Sequence, residues 1–193
     1  MGKDRLAAFS DGMFAIIITI MVLELHAPHG DKLVDLMPVL PALLSYTLSF
    51  IYVAIYWNNH HHMIHTVQRV NGAILWANIH LLFWLSLVPF TTAWLGAHHF
   101  ATVPTAVYGF VLLMPAISYY VLQLTIIRAQ GVNSLLGRAV GRDVKGKLSV
   151  ALYLSSILLA FVHPVLSNLI FVFVALMWLV PDRRIEKKIN DMG

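Results

Sequence analysis

A carboxylate stands inside an apolar run near the start of the chain. Asp11 lies within RLAAFSDGMFAIIITIMVLEL, residues 5–25, whose other polar side chains are Arg5, Ser10, Thr19 and Glu24. A helix rises 1.5 Å per residue, so Asp11 is about 9 Å in from Arg5. A charged residue in a membrane helix costs about 2.5–3.5 kcal/mol on insertion scales unless partners meet it. Two roles are open to it. It can lock helices together in a polar network, or that network can also line a cytoplasmic vestibule or sense protons.

The ten histidines raise a second possibility. His61 and His65 are four residues apart on one helix face, a spacing that suits two zinc or copper ligands. His98 and His99 form another pair. Neither group has a neighbouring acid to complete a hydrolytic site, and HExxH is absent. We read the histidines as an interfacial cluster and expect no metal and no cofactor. No serine–histidine–acid order, midplane carboxylate pair or phosphate loop stands out, so the chain does not read as an enzyme. Asp11 and His80 would also suit a proton-coupled small-solute or ion transporter, which stands as an alternative reading.

Beyond Asp11 the same segment is apolar except for Thr19. Ile16, Thr19, Ile20 and Leu23 follow the i, i+3, i+4, i+7 pattern of one helix face. A lone threonine in such a helix usually bonds its own backbone. Spacing alone therefore leaves pore lining and plain packing both open.

The elements that must carry these residues follow from composition. Of 193 residues, 59% are hydrophobic and 11% charged, against about a quarter charged in a soluble domain. Apolar stretches of about 16–25 residues alternate with short charged gaps, the length that crosses about 30 Å of hydrocarbon. We place six transmembrane helices in one domain spanning 1–193, at about 5–25, 39–62, 70–95, 103–127, 148–163 and 165–180, with a basic tail at 181–193. Pro164 separates the last two. The fold class is thus an all-α integral membrane protein.

Lysine and arginine set its orientation. Twelve of the thirteen fall on one side of this layout, and only Lys32 on the other. By the positive-inside rule both termini are cytoplasmic. The same rule accounts for the net charge of +4 without nucleic acid as a partner. It follows that helix 1 starts, helix 2 ends and helix 3 starts at the cytoplasmic side. Trp57, His60, His61 and Asn78 then share a depth with Arg5–Asp11, with His80 somewhat deeper. A polar layer is expected there.

Arg5-x-x-x-Phe9-Ser10-Asp11 at the start of a first transmembrane helix resembles the signature of the transmembrane protein 175 family of potassium channels. The following GMFAIIITIMVLEL, the Trp57…His60-His61 run and Asn78-x-x-Leu81…Pro89-Phe90-Thr91 are similar to that family too. The likeness covers roughly the first 110 residues, and the later helices match in number and length only. It implies a single-repeat prokaryotic form in the cell (inner) membrane, and a homotetramer in which four copies of helix 1 line a central pore. It also implies a hydrophobic ring at Ile16, a threonine layer at Thr19 linked to potassium preference, and a further apolar ring at Leu23. The partners implied are potassium and other monovalent cations, the lipid bilayer, and further copies of the chain.

No Thr-Val-Gly-Tyr-Gly loop and no arginine ladder occur, so the usual carbonyl filter and voltage sensor are missing. Selectivity would have to come from a tight ring of side chains, with modest preference for potassium over sodium. On the outer side Glu24, Asp31 and Asp35 against Lys32 leave a net −2 per subunit. Solvated loop charge explains that as well as a cation-concentrating mouth at Glu24 does.

Overall fold

The computed structural model describes residues 2–140 and 143–179. The expected tail at 181–193 lies outside the described residues. Those described form helices and turns, with no strand among them. In hydrocarbon, a helix satisfies every backbone N–H and C=O within its own segment, which selects it over open sheet.

The order is α1 (Lys3–Leu23), a 3-10 helix (Leu33–Val39), α2 (Leu40–His65), α3 (Gly72–Ser86), α4 (Val88–Ala97), α5 (Thr102–Gln130), α6 (Leu135–Val140), α7 (Val144–Ala160) and α8 (Pro164–Leu179). Four segments are long and apolar enough to cross a membrane: Lys3–Leu23, Leu33–His65, Gly72–Ala97 and Thr102–Gln130. α7 and α8 are shorter, at 17 and 16 residues, or roughly 25 Å each.

Four local features depart from the sequence-based layout. The helix expected at 70–95 is divided at Leu87 into α3 and α4. Pro89 is the cause: it has no N–H for the Leu85 carbonyl, and its ring crowds that turn. The connection at 26–38 contains the 3-10 helix, whose entry is held by the Lys32 N–H donating to the Asp35 carboxylate at 3.0 Å. The connection at 128–147 contains α6, anchored by the buried Leu136. α7 also starts before the expected 148, because the Asp143 carboxylate accepts the Gly146 N–H at 3.2 Å and caps it.

Two apolar clusters share the interior. One joins α1, α2, α3, α5 and α6 through Phe14, Ile17, Ile64, Leu81, Leu122 and Leu136. The other joins α2, α4, α5, α7 and α8 through Tyr52, Leu95, Tyr108, Tyr153 and Phe171. α2 and α5 contribute to both and form the spine. Large apolar side chains also cover the outside, among them Trp76, Leu158 and Val162. A water-soluble chain of this size would not carry such a continuous apolar exterior.

Several of the polar side chains in the interior are paired across helices. Thr92 donates to Ser49 at 2.7 Å, Ser49 and Tyr108 share a 2.9 Å hydrogen bond, and the Tyr52 hydroxyl donates to the Phe171 carbonyl at 2.6 Å. These bonds tie α2 to α4, α5 and α8. Nearby, α4 approaches α2 so closely that a Cβ on Gly96 would lie 2.6 Å from Ser45 Oγ and 2.7 Å from the Ala42 Cα. Small residues permit such contacts between membrane helices.

Gly96→Val should therefore separate α4 from α2 and cost about 1–3 kcal/mol of stability, the usual penalty of overpacking. Thermal unfolding of the purified protein in detergent measures it, and a melting temperature equal to wild type would contradict the close approach.

Candidate functional site

α1 has two faces. Leu6, Ser10, Phe14, Ile17 and Met21 are buried and form one stripe against the rest of the chain. Arg5, Phe9, Gly12, Ile16, Thr19 and Leu23 form another, in alternating steps of four and three, and every one of them is exposed. At 100° per residue the two stripes are centred about 140° apart. Ile16 is 53% and Leu23 77% exposed, and Ile20 flanks them at 42%. Sequence reasoning found the Ile16–Leu23 part of this face but not that Arg5, Phe9 and Gly12 continue it. The 4-3-4-3-4 spacing was the available signal, since that period marks a seam along which helices pack on one another.

The Thr19 hydroxyl donates to the Ile16 carbonyl at 2.9 Å. Its proton is thus committed to its own helix, and the oxygen lone pairs remain free to accept on the exposed face. One bond accounts for the threonine being tolerated in an apolar helix and for the kind of group it offers outward.

The buried stripe is locked by a directional chain of hydrogen bonds. The Ser10 hydroxyl donates to the Leu6 carbonyl at 2.9 Å. Its oxygen then accepts from Asn78 Nδ2 at 3.0 Å. Asn78 Oδ1 therefore faces His60 Nε2, 2.7 Å away, so Nε2 carries a proton and donates it. Ser10, Asn78 and His60 are at most 1% exposed, and no water can substitute for a missing partner there. The Phe14 ring packs on His60 at 5.6 Å. One residue along α1, Asp11 Oδ1 accepts from Trp57 Nε1 at 2.9 Å. A single turn of α1 is thereby held to α3 through Ser10 and to α2 through Asp11.

These pairs answer the cost of the carboxylate. Ser10, Asp11, Trp57, His60 and Asn78 come together. His61 does not join them. Its half-buried ring lies 5.9 Å from Trp57 and 4.3 Å from His65 and makes no hydrogen bond to the network. His80 was expected in the layer and is not in it: its Nε2 accepts from Trp84 Nε1 at 3.0 Å, on the exposed face of α3. Two residues of helix turn a side chain by about 200°, so the buried Asn78 and His80 must face opposite ways. No bond joins Asp11 to His80.

Glu24 caps the far end of α1 and is exposed, with its carbonyl bonded to His26 Nδ1 at 3.0 Å. Among the described residues, no group of three or more His, Cys, Asp or Glu is placed to hold a metal ion.

The chain is similar to known proteins in sequence and fold. The family model described as endosomal/lysosomal potassium channel TMEM175 matches residues 5–89. A potassium channel of Chryseobacterium sp. is 53% identical over 191 residues, covering 99% of this chain and all of that one. A potassium channel of Streptomyces collinus is 34% identical over 128 residues, covering 62% of each chain. Among solved structures, the crystal structure of a lysosomal potassium-selective channel TMEM175 homolog from Chamaesiphon minutus is similar at a TM-score of 0.79 and 29% identity. It covers 93% of this chain and 97% of that one. The likeness thus extends well past the first 110 residues, into the later helices, for which the motifs offered a match in number and length only.

The directional chain makes a testable claim about stability. Asn78→Leu leaves both the His60 N–H and the Ser10 oxygen unpaired and should cost about 1–3 kcal/mol for each group stranded. Ser10→Ala strands only the Asn78 amide and should cost less. Thermal melts of both variants in detergent test the order, and a greater loss for Ser10→Ala would break the assignment.

Proposed function

The chain belongs to the endosomal/lysosomal potassium channel TMEM175 family, and from that premise we propose that four copies surround a pore lined by α1. At the coarser level the protein is a potassium channel of this family, a membrane protein and not an enzyme. The observation that carries the finer reading is the exposed stripe Arg5–Phe9–Gly12–Ile16–Thr19–Leu23, which the chain's own packing leaves uncovered. In this reading each α1 turns that seam toward a shared axis. α1, α2, α3 with α4, α5, α7 and α8 are the six spans, with both termini cytoplasmic in the inner membrane of a prokaryote. The one-sided distribution of lysine and arginine and the bacterial relatives support this placement.

Conduction then follows from hydration. At an Ile16 ring a cation must shed water and gains no ligand in exchange. Potassium holds its shell less tightly than sodium, so the penalty is smaller for potassium. One turn further on, Thr19 oxygens with free lone pairs return part of the lost coordination. Leu23 closes a second apolar ring. Rotating or spreading α1 would widen both rings, and the Ser10 and Asp11 clamps set how far it moves. Arg5, Phe9, Ser10 and Asp11 act here as a positioning motif, and potassium as the permeant ion with no cofactor.

Thr19→Val keeps the volume and removes the acceptor. Single-channel recording of purified protein in planar bilayers, with potassium on one side and sodium on the other, should show the reversal potential of this variant shifted toward zero. An unchanged potential would take Thr19 out of the mechanism, and the absence of unitary currents in wild type would remove the channel itself.

Glu24 lies at the outer mouth in this reading. Exposed charge is screened within about 10 Å at 0.1 M salt, so Glu24→Gln should lower conductance more at low salt than at high salt. Equal reductions at both would assign Glu24 to solvated surface.

A further inference from the structure

A cavity of about 350 Å³ lies away from α1, between α2, α5, α7 and the end of α8. Its walls are aromatic: Tyr52 stands 6.3 Å from Tyr153, Tyr56 meets Tyr119 edge-on at 6.3 Å, and Trp178 closes the α8 side. Such walls suit an apolar, chain-like guest. Gln123 also lines it. That side chain is only 5% exposed. A buried amide is costly unless it meets polar groups, and here it borders the cavity.

The mouth has a sign. Lys147 lines it and is exposed. Lys145, one turn of α7 away from the wall residue Ser149, donates to the Met177 carbonyl at 3.4 Å and lies 5.9 Å from the Trp178 ring centroid. The acid at the mouth, Asp143, accepts the Gly146 N–H and caps α7. The helix dipole offsets its charge in that position. In the proposed topology this mouth opens at the cytoplasmic headgroup level.

We propose that the cavity binds one anionic phospholipid of the inner leaflet. The acyl region lies along the tyrosine walls, the Gln123 amide serves the glycerol-ester oxygens, and Lys147 with Lys145 faces the phosphate. Apolar walls, a buried amide and basic side chains at the rim are together the chemistry of a phosphate-headed amphiphile. Basic pockets between membrane helices on the cytoplasmic side take such headgroups.

The inference rests on the membrane orientation proposed above but not on the pore. Native mass spectrometry of the purified full-length protein, titrated with phosphatidylglycerol in detergent, tests it without measuring ion flux. Its failure would therefore leave the conduction reading standing, and a failure of conduction would leave this site standing. Wild type should retain about one phosphatidylglycerol per chain, and phosphatidylcholine more weakly. Lys147→Ala should weaken phosphatidylglycerol about fivefold and leave phosphatidylcholine unaltered, whereas Gln123→Leu should weaken both lipids by a similar factor, since both carry the glycerol esters. Ala116→Phe, which fills the wall, should abolish retention and supplies a second route should Gln123→Leu not fold. Inorganic phosphate alone should leave the melting temperature unchanged. Equal retention of both lipids, or phosphatidylglycerol retention unaffected by all three variants, would overturn the proposal. Stabilisation by phosphate alone would overturn it in favour of a free-anion site.

Discussion

The structure depends on polar groups finding partners where water is absent. Leu6, Ser10, Asn78 and His60 form one donor-to-acceptor chain, each bond fixing the direction of the next. The chain runs through three helices, so their separation, rotation and depth are set together. Removing any member leaves a buried polar group with nothing to meet it, which costs more than the bond contributes. That asymmetry favours one arrangement of α1 over rotated alternatives. In an apolar surround, hydrophobic burial could not choose between them.

With α1 locked at one face, the other is free. The buried stripe and the exposed 4-3 stripe are consequences of one rotation, and Asp11–Trp57 reinforces it from the side. The exposed side chains are large and apolar apart from Arg5 and Thr19, while Gly12 offers no side chain. Such a seam permits close approach of identical helices. The pore proposed above would give it a use. In that reading a rigid helix is an advantage for a narrow apolar ring, because dehydration depends steeply on radius and a wandering α1 would blur it.

The second half of the protein is built differently. α5, α7 and α8 pack around tyrosines whose hydroxyls reach neighbouring helices, as Tyr52 does to the Phe171 carbonyl and Tyr108 to Ser49. Large rings hold the helices apart as well as together, and between α2, α5 and α7 they leave space. By contrast Gly96, Ala42 and Ser45 let α4 approach α2 closely. Side-chain size thus decides where this bundle is tight and where it can admit a guest.

Length, apolarity and charge bias determined from sequence that the chain is helical and belongs in a membrane, because a bilayer imposes thickness and a polarity rule on every segment. The cost of Asp11 in hydrocarbon likewise required partners, and counting depth along helices of known direction narrowed them to a few residues. Only the tertiary structure decided which atoms pair, since depth leaves rotation about each axis unspecified. That is why Asn78 and His80, two residues apart, point to opposite sides, and why His61 is only half-buried while His60 is buried. The break at Leu87 and the short α6 were also decided there. Pro89 permits either a kink or a stop, and α6 forms only because Leu136 finds a core to enter.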